Sequence, residues 1–229
     1  MFNSVRMRFP LRALVFGFWV SGFFIMSCNE SNQRVPTGEL AEEVRNREIR
    51  HISPGQITQA AMKMGETVSK GVQGALTRKL TAAIPAEGLV EAGRYCQAAN
   101  LPGADSLAKR YKADIRRYRM KGELDKKELS DKVFQLLDAY RYSAEQNQSI
   151  DPNVQGEGQF LLYSAPVTLD NAVCLKCHGQ VGSDVSQTDY RALAGRYRLD
   201  SLVNYRAGQT VAVWLLRFGR KEVIKGITD

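Results

Sequence analysis

Two of the chain's four cysteines stand three positions apart and run directly into one of its two histidines, as Cys174-Leu175-Lys176-Cys177-His178. Two residues between thiols match the separation of the two vinyl groups on a porphyrin, and the next side chain points at the metal in its centre. Cys-x-x-Cys-His therefore reads as the attachment site of one covalent c-type haem, with Cys174 and Cys177 as thioethers and His178 as proximal iron ligand. A zinc site would need four closed ligands, usually a second pair. Here the remaining candidates, Cys28, Cys96 and His51, are singly placed. A thioredoxin-like dithiol would want a strand leading into a helix that opens at the first Cys. Thr168 to Val173 does end a strand-like stretch, but His178-Gly179-Gln180-Val181-Gly182-Ser183 is expected to break any helix at once.

The N-terminus places this motif outside the cytoplasm. Arg6, Arg8 and Arg12 form a positive region with no acidic neighbour, and Ala13 to Met26 is apolar or small throughout. About 14 such residues suit the core of a signal peptide and fall short of a membrane span. The run closes on Ile25-Met26-Ser27-Cys28, which resembles the lipobox of bacterial lipoproteins. That resemblance implies cleavage after residue 27 and acylation of Cys28. Each methylene then buried in lipid adds about 0.8 kcal/mol to anchoring. The alternative is an uncleaved signal anchor with an incidental Cys.

Asn29, where a retained lipoprotein would carry Asp, leans toward the outer membrane. The formal charge of +8 loses three arginines with the leader and stays mildly basic. That suits an anionic cofactor or anionic lipid, and no dense Lys/Arg run points to nucleic acid. With Cys28 lipidated and the motif thiols in thioethers, Cys96 is the one cysteine without a role.

Three segments are expected: 1–27 as signal peptide, 28–52 as polar tether and lead-in, and 53–229 as one domain. Within the lead-in, Glu39 to Arg50 has a charged, helix-compatible pattern. Ser53-Pro54 opens a helix whose apolar residues recur at helical spacing until Pro85 ends it. Ala86 to Ala99 is expected as a second helix, with Leu89, Ala92-Gly93 and Cys96 on one face. Asn100-Leu101-Pro102-Gly103 stops it. Ile115 to Arg119 has strand character, Lys127 to Gln146 reads as an amphipathic helix, and Gln148 to Gly158 as a loop. Gly158 to Leu169 reads as a strand broken at Pro166, Tyr190 to Tyr197 as a short helix. Asn204 to Thr210 reads as strand and turn leading into Val211 to Phe218, the most β-prone run. Helices first and a small antiparallel sheet afterwards make the fold class α+β.

The chain resembles a family of PAS-like c-type haem domains, found in exported bacterial proteins alone or fused ahead of histidine kinases. Four segments carry the likeness: Ala75-Leu76 to Leu80 with Ala83, Gly88 and Ala92 to Cys96; Ile115 to Arg119; Tyr163-Ser-Ala-Pro-Val167 with Cys174 to Gly179; and Tyr197, Asp200 and Tyr205-Arg-Ala-Gly208 with the closing strand. The resemblance implies N-terminal helices packed on a PAS-like sheet. It also implies a six-coordinate iron with a Cys thiolate opposite the motif His, which falls on Cys96 here. By residue type alone, His51, Met62, Met64 and Met120 compete for that position. The family's Arg-Asn-Pro is reduced to Arg119, so the loop beside the cofactor is expected to differ. Arg116, Arg117 and Arg119 are candidates for pairing with haem propionates, with Arg116 and Arg119 foremost. The other reading is a solvated strand face.

These features point to a membrane-tethered periplasmic haem protein, non-enzymatic, acting in electron transfer or in redox or gas sensing. A separate redox or signalling protein would be its partner, since no output module follows residue 220. The alternatives are a haem peroxidase-like enzyme, and a non-haem lipoprotein stapled by a metal or disulfide.

Overall fold

The computed structural model describes residues 38, 40, 52–122, 129–148 and 150–228. The leader, the lipobox Cys28 and His51 lie outside the described residues. A compact unit spans residues 51–229.

Its backbone is a 34-residue helix, α1 (Pro54–Glu87). At 1.5 Å per residue it runs about 50 Å. The start follows the sequence signal. Ser53 Oγ accepts from the Gln56 amide at 3.2 Å, Gln56 Oε1 accepts from the Ser53 amide at 2.8 Å, and Pro54 takes the first turn. This capping box satisfies two backbone donors that the first turn leaves open. The end differs from expectation. Pro85 sits inside the last turn, where its missing N–H forfeits a single bond. The helix stops three residues later at Gly88, whose φ of 86° is cheap only for glycine. Beyond it the expected single helix 86–99 is split into a short turn, α2 (Leu89–Ala92), and a 3₁₀ turn over Gly93–Cys96.

Then follow α3 (Ala104–Tyr111), β1 (Ala113–Arg119), α4 (Asp131–Glu145), β2 (Asn153–Glu157), β3 (Phe160–Thr168), α5 (Ala172–His178), α6 (Gln187–Ala194), β4 (Thr210–Gly219) and α7 (Arg220–Thr228). Strand β2 occupies part of the expected loop 148–158. It turns into β3 through Gly158-Gln159, with Gly158 at φ 57°. A positive φ at the first of two turn residues matches the twist of a tight hairpin. Strand β3 passes through Pro166 unbroken. β2 reaches only as far as Ser164, so Pro166 lies where β3 is paired on one side alone and a missing donor is tolerated.

The four strands are antiparallel in the order β1-β4-β3-β2. Alternation splits their side chains between two cores. One face, with Leu161, Tyr163, Trp214, Leu216 and Phe218, packs on the buried stripe Ile57, Ala61, Val68, Val72, Leu76 and Leu80 of α1. The other, with Leu162, Val213 and Leu215, packs on Val133, Leu136, Leu137 and Tyr140 of α4. Helices on an antiparallel sheet make the fold α+β, consistent with the PAS-like arrangement implied above. At the tightest crossing α1 offers Gly65 to Tyr163. A Cβ there would lie 2.1 Å from the tyrosine ring.

Candidate functional site

The α1-facing core is not filled to its end. Past Trp214 the sheet, α1, the Cys96 turn and α5 enclose a cavity of about 500 Å³. That lies within the range of small-molecule and cofactor sites. Leu76, Leu80 and Ile84 of α1 and Val167, Leu169, Val211 and Ala212 of the sheet side give it apolar walls. Cys174, Cys177, His178 and Cys96 all line it.

Helix α5 explains how three of these arrive together. Asn171 Oδ1 accepts from the Val173 amide at 3.0 Å and caps it. The helix runs through the motif and ends where the glycine-rich stretch was expected to break it, at Gly179, whose amide bonds the Leu175 carbonyl at 2.8 Å. Residues i, i+3 and i+4 share a helix face, so both thiols and the imidazole turn to the same side. The helix opens at Ala172, so Cys174 falls in its first turn and Cys177 in its last. Burial pushes both thiols up, Cys177 to about 12, and the neighbouring sulfurs of Cys96 and Cys174 add to it. A dithiol redox pair requires the opposite shift.

His178 is held from behind by residues 202–205. Its Nδ1 lies 2.8 Å from the Leu202 carbonyl. A carbonyl can only accept, so Nδ1 carries the proton and Nε2 keeps its lone pair free. The His178 carbonyl accepts from the Tyr205 amide at 2.9 Å, and the Gly179 carbonyl from the Asn204 amide at 3.0 Å. The Tyr205 ring meets the imidazole edge-on, 6.4 Å between centroids. Lys121 Nζ stands 3.9 Å from the centroid of the Tyr205 ring. Burial lowers the His178 pKa, against the Leu202 bond, and keeps the ring neutral as a metal ligand must be. This is the outer-shell arrangement that orients metal-binding histidines.

Cys96 faces the cavity from the 3₁₀ turn, its thiol raised by burial and partly offset by Arg117. Of the other candidates for that position, Met62 and Met64 pack at the margin of the α1 core, and Met120 is buried in the α4 core. Directly before this turn, α2 is latched to the chain after α6. Tyr197 Oη donates to the Val90 carbonyl at 2.9 Å, and Arg196 pairs with Glu91. Gly93 makes room for Tyr197, whose oxygen would lie 2.8 Å from a Cβ there.

The arginines sort by the pleat of β1. Arg117 and Arg119 share the α1-facing side and line the cavity. Arg116 points to the opposite face and pairs with Asp114 at 3.0 Å. The candidate propionate contact at Arg116 is therefore corrected: an odd-to-even step on a strand changes face. Arg117 donates to the Cys96 carbonyl, and its guanidinium carbon stands 5.4 Å from the Trp214 ring centroid. Burial lowers its pKa, opposed by the Cys96 and Cys174 sulfurs. Among the described residues no Asp or Glu lines the cavity.

Two features went unread in the sequence. Gln73, one turn before Leu76 on the same stripe, brings a buried Oε1 without a partner to the wall. Extending the stripe backward would have found it. The Leu202–Tyr205 clamp is a loop contact with no periodic signal.

Among the described residues, no group of three His, Cys, Asp or Glu could hold a bare metal ion, and Cys96, Cys174 and Cys177 are free. No described helix is long and apolar enough to cross a membrane. The donor set fits a haem: paired sulfurs beside a neutral imidazole, a third sulfur, apolar walls for a macrocycle, and unopposed arginines for its carboxylates.

No family model and no curated protein matches the chain. A similar solved structure is the crystal structure of the cyanobacterial heme-protein Tll0287, with a TM-score of 0.42 and 11% sequence identity over 81% of this chain and 97% of that one.

Proposed function

We propose that this chain is a c-type haem protein of the bacterial cell envelope, acting in electron transfer or in redox or gas sensing. The observation that carries the reading is His178. It shares one face of α5 with Cys174 and Cys177, lines their cavity, and commits Nδ1 to the Leu202 carbonyl so that Nε2 is left for iron. When bound, haem supplies a one-electron ferric/ferrous couple at the end of the core.

The chain's residues would hold it as follows. Cys174 and Cys177 form the thioethers, His178 is the proximal ligand, and Cys96 is the distal ligand. Arg117 and Arg119 meet the carboxylates. Thiolate donation by Cys96 lowers the reduction potential relative to a Met ligand. With His178 and Cys96 both committed to the group, electron transfer or sensing by ligand exchange would be favoured over oxygen or peroxide chemistry. We further propose acylation at Cys28, a periplasm-facing anchor with the outer membrane favoured, and a separate redox or signalling protein as partner.

The test is a pyridine haemochrome spectrum and a haem-stained denaturing gel of protein made in a host competent for c-type maturation. One covalent haem c per chain is expected, lost in the Cys174→Ala/Cys177→Ala variant. A protein without haem bands, or one that retains stoichiometric zinc, overturns the reading.

A further inference from the structure

Arg117 holds a charge that no carboxylate among the described residues neutralises. It stands on the cavity side of β1 opposite Trp214, half-buried, in a wall that contains no carboxylate. Ion pairs between described side chains lie elsewhere, and neither Arg117 nor Arg119 joins one. A guanidinium carries five N–H donors in a rigid fork. Arg117 gives one to the Cys96 carbonyl. Among the described residues the rest have no acidic partner, and a charge drawn part-way out of water is stabilised by pairing. The missing partner is an anion brought by whatever fills the cavity. A planar fork selects a carboxylate.

The bond to Cys96 makes the position more than an anion anchor. Cys96 lies in a short 3₁₀ turn between Gly88 and Gly103, both at positive φ, and not in a regular helix that would hold it rigidly. Arg117 reaches this turn from the sheet. We infer that Arg117 is a positioning residue that binds one carboxylate of the occupant while holding the Cys96 backbone, so that cofactor seating and distal-ligand placement are set by one side chain. This rests on the haem reading above, in which the carboxylate is a propionate. Arg119, two residues along on the same face, stands at the same wall for the second carboxylate.

The test compares Arg117→Gln and Arg117→Lys with wild type, and uses Arg116→Gln on the opposite face as control. Haem content, the ferric electron paramagnetic resonance spectrum and the reduction midpoint are read for each. Covalent attachment should survive in all, because the thioethers do not involve Arg117. Arg117→Gln should split the single low-spin signal into several species. It should also reduce the ferric-to-ferrous equilibrium constant roughly tenfold, since a nearby cation favours the less positive iron.

Arg117→Lys keeps the charge without the fork. It should bring the equilibrium back to within about threefold of wild type while leaving the ligand signal heterogeneous. A purely structural role would not separate the two readouts in this way. If Arg117→Gln does not fold, Arg117→Lys decides by its ligand signal. A wild-type spectrum and midpoint in the folded Arg117 variants overturns the inference and leaves the haem assignment standing. A wild type without haem overturns both.

Discussion

At the scale of single residues, the chemistry lies in which atoms are left without partners. His178 Nε2 is free because Nδ1 is taken by Leu202. Cys96 is free in that, among the described residues, no other cysteine pairs with it. Replacing Cys96 with Ser should convert the ferric haem from low spin toward high spin, or to a different ligand, in its visible and resonance spectra. An unchanged low-spin spectrum would exclude it as the distal ligand. Tyr205 carries an orphan of another kind. Its hydroxyl is buried without a hydrogen-bond partner among the described residues, the residue is 5% exposed, and burial raises its pKa to about 12. Above pH 10 the unfolded chain releases this proton while the folded chain retains it. Folding stability contributed by Tyr205 should therefore fall as pH rises from about 10 to about 12. Tyr205→Phe should remove that part of the alkaline loss and gain about 1 kcal/mol at neutral pH, since an unpaired buried hydroxyl costs that much or more. Urea titrations at pH 7 and pH 11 measure both.

At the scale of elements, glycine positions separate rigid contacts from adjustable ones. Gly65 on α1 lies against the Tyr163 ring, with no room for a methyl group. Gly65→Ala should destabilise the protein by about 3 kcal/mol, because α1 and β3 must part or Tyr163 must leave its rotamer. Combining it with Tyr163→Leu should recover a good part, as a double-mutant cycle by chemical denaturation would show. Gly93 instead faces the end of Tyr197, a side chain that can swing away, so Gly93→Ala should cost far less. Ser53→Ala removes one half of the capping box and should cost about 1 kcal/mol. The start of α1 was legible because a cap acts through neighbours in sequence. Its end was misread at Pro85, because a proline in the last turn forfeits little and Gly88 decides. Strand β2 was missed since Asn153 to Glu157 has little β propensity of its own. Pairing with β3 makes it a strand.

At the scale of the whole molecule, the cofactor would complete the core. A cavity of about 500 Å³ at the end of the α1-facing core is lined in part by Leu76, Leu80 and Val167. The haem-free Cys174→Ala/Cys177→Ala protein should melt at least about 10 °C below the haem-bound form. That corresponds to roughly 3 kcal/mol for a chain of this size. Scanning calorimetry measures it, and equal melting temperatures would mean that the cavity closes without its occupant.

By itself the sequence determined that Cys174, Cys177 and His178 stand close enough to act together, because residues at i, i+3 and i+4 need only local chain geometry. It also determined the α+β class, because periodicity is a local property. Only the tertiary structure decided that Cys96 faces the same cavity as His178, with 81 residues of chain between them in number. The same is true of Arg117 and Arg119 reaching that cavity while Arg116 turns away, and of Leu202 setting the His178 tautomer. Those relations depend on register and on packing of α1 against the sheet. Neither is written in the spacing of any one segment.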